Sequence, residues 1–427
     1  MRDQPSRPCV LLFATTTGYQ IRMFDEEAAR LGIDLVLATD RCDQLADPWR
    51  DRAIAVRFHD DASALTSVQA ALRGRPVNGV LAVGDRPAAL AAAVAVALGL
   101  PWHSVAGARA GRDKRLFRAA QLAAGLPCPW TRTLAAGEPV PDDVEFPCVV
   151  KPLVLSGSRG VIRADNPVGL GHAVARVRGI LDAPDVRALQ DPAAAQLLIE
   201  GYVPGHEFAL EGLMDRGVLH VLAVFDKPEP LVGPFFEETI YVTPSRATRA
   251  VAPDVTAAVT AAARAVGLWH GPVHAECRVL EGGGVVVLEA AARPIGGLCA
   301  RALRFVTDDG VEVALEHVLL QHAVGRGQPA TRCARTSGVM MVPIPRSGVL
   351  RDVTGVEAAR AVPLVREVVI SAARGQVLQA IPEAAGYLGF IFADGPNERG
   401  VLDALSAAHA ALSCLIAPMV ALRRDDS

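Results

Sequence analysis

The sequence predicts an α/β fold that runs on into α+β, with a parallel sheet at the N-terminus and antiparallel pairing after it. Three observations predict it. Strand and helix candidates alternate through the first 110 residues, as a parallel sheet with helical crossovers requires. From 144 to 290 strand candidates follow one another with few helical breaks. After a polar stretch at 325–338, strands mix with a closing helix in a small α+β unit.

In the first region CVLLFA (9–14), DLVLA (34–38), AVRF (55–58) and GVLAV (79–83) read as strands. TTTG (15–18) reads as a turn, and helices fall near 20–31, near 62–73 and over the Ala-rich 88–100. The first turn lacks GxGxxG, so a dinucleotide site is not expected there. RDKRLFRAAQLAAGLPCP (112–129) is a helix starting near Asp113 and stopping at Gly125 and Pro127. The central strands are 144–152, 196–203, 206–214, 218–226, 271–280 and 285–290, with a helix over 253–266 and another near 309–323. The polar 325–338 reads as a linker. VMMVPI, LVREVVI and LGFIFA are the last strands, and 400–416 is the closing helix.

A chain of 427 residues, 51% hydrophobic, has the apolar content for about two to four domains. A net charge of −3 without a basic stripe argues against nucleic acid as a partner. No run of about 18 apolar residues suggests a membrane span, and no secretory leader is legible. The eight cysteines are scattered, with no CxxC and no Cys/His cluster at zinc spacing, so free thiols and a cytoplasmic location are expected.

The positive charges are unevenly chosen: three lysines, Lys114, Lys151 and Lys227, stand against forty arginines. A lysine kept in such a chain suggests a place where a compact ammonium fits and a planar fork does not, such as a crowded phosphate pocket. Lys151 ends a strand, and Ser156-Gly157-Ser158-Arg159-Gly160 follows it. Glycines let backbone N–H groups turn toward an anion. Alone the loop is no more than a turn, and it is not a Walker A sequence.

GPVHAECRVL and VVVLEA flank EGGG, which reads as a hairpin. With its turn between Gly282 and Gly283, Glu276 faces Glu289 and His274 faces Ala291. Directly opposed carboxylates about 5 Å apart repel unless a cation lies between them, and hard oxygen ligands suit Mg²⁺. A slipped register would instead leave two surface glutamates. LLIEGYVPGHEFALE offers a strand edge and the carboxylate of Glu207. ARPIGG offers Arg293 with the N–H groups of Gly296 and Gly297, a set suited to developing oxyanion charge.

Taken in order, RDKRLFRAAQLAAGLPCP, FPCVVKP, SGSRGV, LIEGYVPGHEF, GPVHAE and VLEAAARPIGG resemble an ATP-grasp carboxylate–amine ligase over about residues 80–325. The tail around MMVPIPRSGVLRDVTGVE resembles the L-amino acid ligase branch, which forms dipeptides. The resemblance implies a pre-ATP-grasp domain over 1–111, an ATP-grasp domain over 112–325 with a lid at about 130–200, and a C-terminal domain over 330–427.

It also implies roles. Lys114 and Lys151 hold the ATP phosphates, and Ser156, Gly157, Ser158 and Gly160 lie in the phosphate loop. Glu200, Tyr202 and Val203 form the adenine edge, and Glu207 meets the ribose. Glu276 and Glu289 bind magnesium as two ions, with manganese as a substitute. Arg293 lies near the acyl phosphate, and Lys227 near the γ-phosphate or substrate. His274, Tyr241, Gly296 and Gly297 face substrate, with Phe235 and Phe236 as further pocket aromatics. Ala291 stands where many relatives have a metal-binding asparagine, which leaves the second ion's shell open. Small-molecule carboxylate and amine substrates and a homodimer follow from the same resemblance. A biotin-carboxylase-like carboxylase and a non-catalytic ATP-binding regulator are the competing readings.

Overall fold

The computed structural model describes residues 7–15, 20–40, 53–327 and 330–419. Most of the expected 15–18 turn, and Cys42, lie outside them. The N-terminal region is a four-stranded, wholly parallel sheet in the order Ile54–Ala55, Asp34–Thr39, Cys9–Ala14, Gly79–Val83. Cys9–Ala14 is buried along its whole length, as a strand covered by helices on both faces must be. The expected strand at 55–58 shortens to Ile54–Ala55. Cys9, Cys128, Cys148, Cys277, Cys299, Cys333 and Cys414 are free thiols.

Residues 131–201 carry a four-stranded antiparallel sheet in the order Thr131–Leu134, Leu197–Gly201, Cys148–Pro152, Ile162–Ala164. The helix Pro167–Leu181 covers it, and the layer has its own apolar core around Leu134, Val150, Leu170, Val177 and Ile199.

The backbone of the molecule is an eight-stranded antiparallel sheet. Its order is Val285–Ala291, Gly271–Val279, His206–Asp215, Val218–Asp226, Ile240–Thr243, Thr336–Val342, Gly389–Gly395, Val365–Ile370. The polar stretch read as a linker therefore holds two strands, Ala330–Arg332 and the start of Thr336–Val342. Thr336 and Ser337 are buried there, paired with Gly395 and Asp394. The C-terminal strands thus extend the central sheet and line the same cleft.

Two helices differ from expectation. The one placed at 253–266 runs from Arg246 to Val266 with Pro253 inside it. A reciprocal cap starts it early: Ser245 Oγ accepts from Thr248 N, and Thr248 Oγ1 accepts from Ser245 N, each at 2.9 Å. The helix expected near 309–323 is Leu315–Ala323, preceded by the strand Glu312–Ala314. The closing helix is Glu398–Ala411, followed by the strand Ser413–Ala417. No helix among the described residues is long and apolar enough to cross a membrane.

Candidate active site

A cavity of about 800 Å³ opens between the three layers. The first wall grows from two strands and one helix. Lys151 lies near the end of the strand Cys148–Pro152, next to the strand carrying Glu200. Asp113 caps the helix Lys114–Ala123 by accepting from the N–H groups of Arg115 and Leu116, which fixes Lys114 at its first turn. Lys114 Nζ donates to the Leu155 carbonyl at 2.8 Å.

Glu200 is buried between two cations. Lys151 pairs with it on one side, and Arg118 grips it at 3.0 and 3.3 Å on the other. Burial alone would raise the Glu200 carboxyl, but the two cations hold it down to about 2. Burial also pulls the Lys151 ammonium below its usual value, and Arg118 and Lys114 work the same way against Glu200. This wall holds more cation than anion.

The second wall is the hairpin with its neighbours. His274 pairs with Ala291 and Glu276 with Glu289, the expected pairing. It comes about by compensation. Near the turn Val279 faces Val285, one residue short of the register a Gly282–Gly283 turn would set, and a bulge leaves Leu288 unpaired and restores the pairing at Glu276. The bulge is tied from outside: Arg118 donates to the Leu288 carbonyl at 2.8 Å, and Gln121 to the Val287 carbonyl at 2.9 Å. One buried arginine thus joins both walls.

Lys227 lies at the centre of this second wall. Its Nζ is 2.7 Å from Glu207, 2.7 Å from Glu238 and 3.1 Å from Glu276. Burial and the neighbouring Glu276 raise the Glu238 carboxyl to about 7. Glu238 also accepts from the Tyr241 hydroxyl at 2.6 Å. Glu207 is further held by Arg278 at 2.9 Å. Burial acts to lower His274, but Glu211 at 3.1 Å and Glu276 at 3.6 Å raise it to about 9. No described residue makes a hydrogen bond or ion pair with the Glu289 carboxylate, and Glu289 lines the cavity.

Glu211, fully buried, accepts from the Ile295 N–H and so anchors the Pro294–Gly297 loop. Gln20 of the parallel-sheet layer donates to the Ile295 carbonyl at 2.6 Å. Gly297 has φ +60°, and a Cβ there would sit 3.3 Å from the Phe390 ring. Arg293 is held by Asp85, at the start of the helix Asp85–Leu98, at 2.7 and 3.3 Å.

Sixteen of the eighteen residues singled out from the sequence line this cavity. Gly160 and Lys227 do not. Gly160 packs against Pro152 and donates its N–H to the Pro382 carbonyl at 2.9 Å. Lys227 is buried behind the three glutamates it binds. Of the expected aromatics, Phe236 and Tyr241 face the cavity, whereas Phe235 packs on the 131–201 layer. The sequence reading missed Glu238, Glu211, Arg118 and Asp85. Glu238 alone left a local trace, as an acidic pair in FFEE between Lys227 and Tyr241.

The Ser156–Gly160 loop rests on the C-terminal region. Arg159 donates to the Glu383 carbonyl at 2.7 Å, and a Cβ on Gly157 would lie 2.8 Å from that of Ala385. The Tyr202 ring lies under the Arg163 and Arg278 guanidinium groups, 4.3 and 5.2 Å from its centroid. Tyr202 N–H donates to the Pro147 carbonyl, and the Val203 carbonyl accepts from Arg278.

Three family models match the chain: an ATP-grasp N-terminal domain over 25–102, an ATP-grasp domain over 144–302 and L-amino acid ligase C-terminal domain 2 over 340–416. Uncharacterized protein y4rH of Sinorhizobium fredii is 26% identical over 310 residues, 72% of this chain and 61% of that protein. Alanine–anticapsin ligase of Bacillus subtilis is 26% identical over 213 residues, 47% of this chain and 44% of that one. The matched stretches span less than two thirds of either curated relative. L-amino acid ligase from Bacillus licheniformis superimposes with a TM-score of 0.81 at 24% identity, over 97% of this chain and all of that one. Carboxyaminoimidazole ribonucleotide synthase from Aspergillus clavatus, complexed with ATP, superimposes at 0.68 with 16% identity, over 95% and 98% of the two chains. These likenesses bear out the expected fold class.

Proposed function

From the premise that this chain is an ATP-grasp protein with an L-amino acid ligase C-terminal domain, we propose that it joins a carboxylate to an amine, releasing ADP and phosphate. The observation that carries the reading is the facing of a cation-rich wall and a carboxylate-rich wall across one cavity. In this reading residues 1–111, 112–325 and 330–427 are the pre-ATP-grasp, ATP-grasp and C-terminal domains, with the lid at about 130–200.

Lys114 and Lys151 take the ATP phosphates, with the Ser156–Gly160 loop over them. The purine meets the edge after Glu200, at the Tyr202 carbonyl and the Val203 N–H, and Glu207 turns to the ribose. Glu276 and Glu289 fit magnesium: their strands pair them directly, both line the cavity, and no ion pair holds the Glu289 carboxylate among the described residues. When bound, magnesium neutralises the triphosphate and orients it.

The substrate carboxylate attacks the γ-phosphorus, and the bond to the bridging oxygen of ADP breaks. Arg293 and the Gly296 and Gly297 N–H groups stabilise the charge on the acyl phosphate. The amine then attacks the acyl carbon, phosphate leaves with the bonding pair, and the nitrogen loses a proton. Glu238, raised to about 7, has the proton affinity to accept it. Lys227 keeps the three glutamates together. His274, Tyr241 and Phe236 shape the substrate space. Closure of the Ser156–Gly160 loop keeps water from the acyl phosphate.

Phosphate release measured with ATP, Mg²⁺ and pooled amino acids tests the reading. Release that needs two amino acids, with the condensed product seen by mass spectrometry, is the expected result. Release with bicarbonate alone points to a carboxylase, and none under any pool to a non-catalytic ATP-binding protein.

A further inference from the structure

A second set of ligand-type side chains lies far from this cavity. Asp215 ends one central strand and His270 directly precedes the next; the pair Met214–Gly271 closes the ladder beside them. His322 comes from the last turn of the helix Leu315–Ala323, which also packs against Gly79 of the parallel sheet. The fold therefore gathers onto one point three residues that are far apart in the chain. One ligand atom from each lies within 4.8 Å of the others. His270, directly before the strand that carries Glu276, is six residues from it, about 20 Å at the rise of an extended chain. The mechanism above uses none of the three.

The histidines are under-used where they lie. Their rings stack at 4.2 Å between centroids. His270 is 8% exposed, and its Nδ1 has no hydrogen-bond partner among the described residues. The Asp215 carboxylate is 3.2 Å from that atom but off the direction a hydrogen bond needs. His322 Nε2 is likewise buried and unpartnered. Two buried imidazole nitrogens without hydrogen-bond partners are a cost to the fold unless something else engages them. Burial favours the neutral ring at both positions, the form that binds metal. The Asp215 side chain is half exposed, which leaves room for water to complete a coordination shell.

We propose that Asp215, His270 and His322 bind a divalent transition ion of the zinc type, distinct from the magnesium of the cavity. Two imidazoles and one carboxylate make a nitrogen-rich donor set, which suits zinc or cobalt and not magnesium. The ion would pin the Leu315–Ala323 helix to the edge of the central sheet. Its role is structural: it adds a cross-link between the parallel-sheet layer and the sheet bearing Glu276.

The test uses the full chain without a histidine tag, treated with chelator and held in excess Mg²⁺. Cobalt(II) titration reads coordination through its visible absorption, and zinc titration reads the melting temperature. One equivalent of each is expected to bind, with a rise in melting temperature. The Asp215→Asn/His322→Ala variant should bind at least about 100-fold more weakly, since the loss of an outer-shell partner alone costs about 10–100-fold. Its ATP turnover without zinc should match that of the parent chain, which also reports that it folds. An unchanged cobalt spectrum and zinc response in the variant would overturn the assignment, as would absence of binding by the parent chain.

Discussion

The two walls of the cavity solve opposite problems with the same pair of residue types. Around Glu200 one carboxylate is held by two cations, Lys151 and Arg118, and its pKa falls to about 2. Around Lys227 one cation is held by three carboxylates, and the least favoured of them, Glu238, rises to about 7. The first wall has positive charge to spare and suits phosphate. The second has negative charge to spare and suits a metal ion or an ammonium group. A charge cluster is therefore read from its imbalance, since paired charges cancel and the remainder is what a ligand meets.

Arg118 is where the two walls depend on each other, so removing it should have the largest effect. Arg118→Ala leaves Glu200 short of one partner and frees the Leu288 bulge. Breaking a buried pair of this kind costs about 3–5 kcal/mol, to be read by denaturant unfolding. A loss near that of an exposed salt bridge would mean the walls are independent.

Acid sharpens the contrast next. The Glu200 pKa lies below its ordinary 4.5, so the stability it contributes is present above pH 4.5 and fades as pH falls through about 2. A shift of that size corresponds to about 3 kcal/mol. Glu200→Gln should be less stable than the parent chain by about that amount at pH 7. The gap should close between pH 4.5 and 2; a gap independent of pH would place the Glu200 stabilisation outside its charge.

The smallest of the three concerns shape at constant charge. Lys151→Arg puts a planar fork into a site where Arg118 already fills the other side of Glu200. ATP affinity should drop about tenfold, equivalent to about 1.4 kcal/mol. Unchanged affinity would show that any cation serves there.

How much of this was legible in the sequence follows from how far apart the partners are. The Glu276–Glu289 pairing lies in one hairpin with a glycine turn, and the expected register reached the right residues because the Leu288 bulge offsets a turn that is one residue out. The bulge at Leu288 was invisible, because the Arg118 side chain that ties it lies elsewhere in the chain. The lysines stood out against the arginine background, and all three belong to the cavity walls. Glu211 and Asp85 were missed for the reason Arg118 was: each acts through a residue distant in sequence, with no spacing to mark it, whereas Glu238 lies between its own partners Lys227 and Tyr241. The stretch at 325–338 looked like a linker because polar residues dominate it, yet Thr336 and Ser337 are buried by pairing within the central sheet. The helix around Pro253 was begun too late because proline favours a first turn, whereas the Ser245–Thr248 cap had already set the start.

The opposed imbalance of the two walls is tested most directly by calorimetry of ATP binding with and without Mg²⁺, on the parent chain, Lys151→Met and Glu289→Gln. Lys151→Met should bind ATP weakly in both conditions. Glu289→Gln should keep the metal-free affinity and lose the gain that Mg²⁺ brings. A Glu289→Gln variant with the full Mg²⁺ gain, or a Lys151→Met variant with undiminished metal-free affinity, would contradict the account.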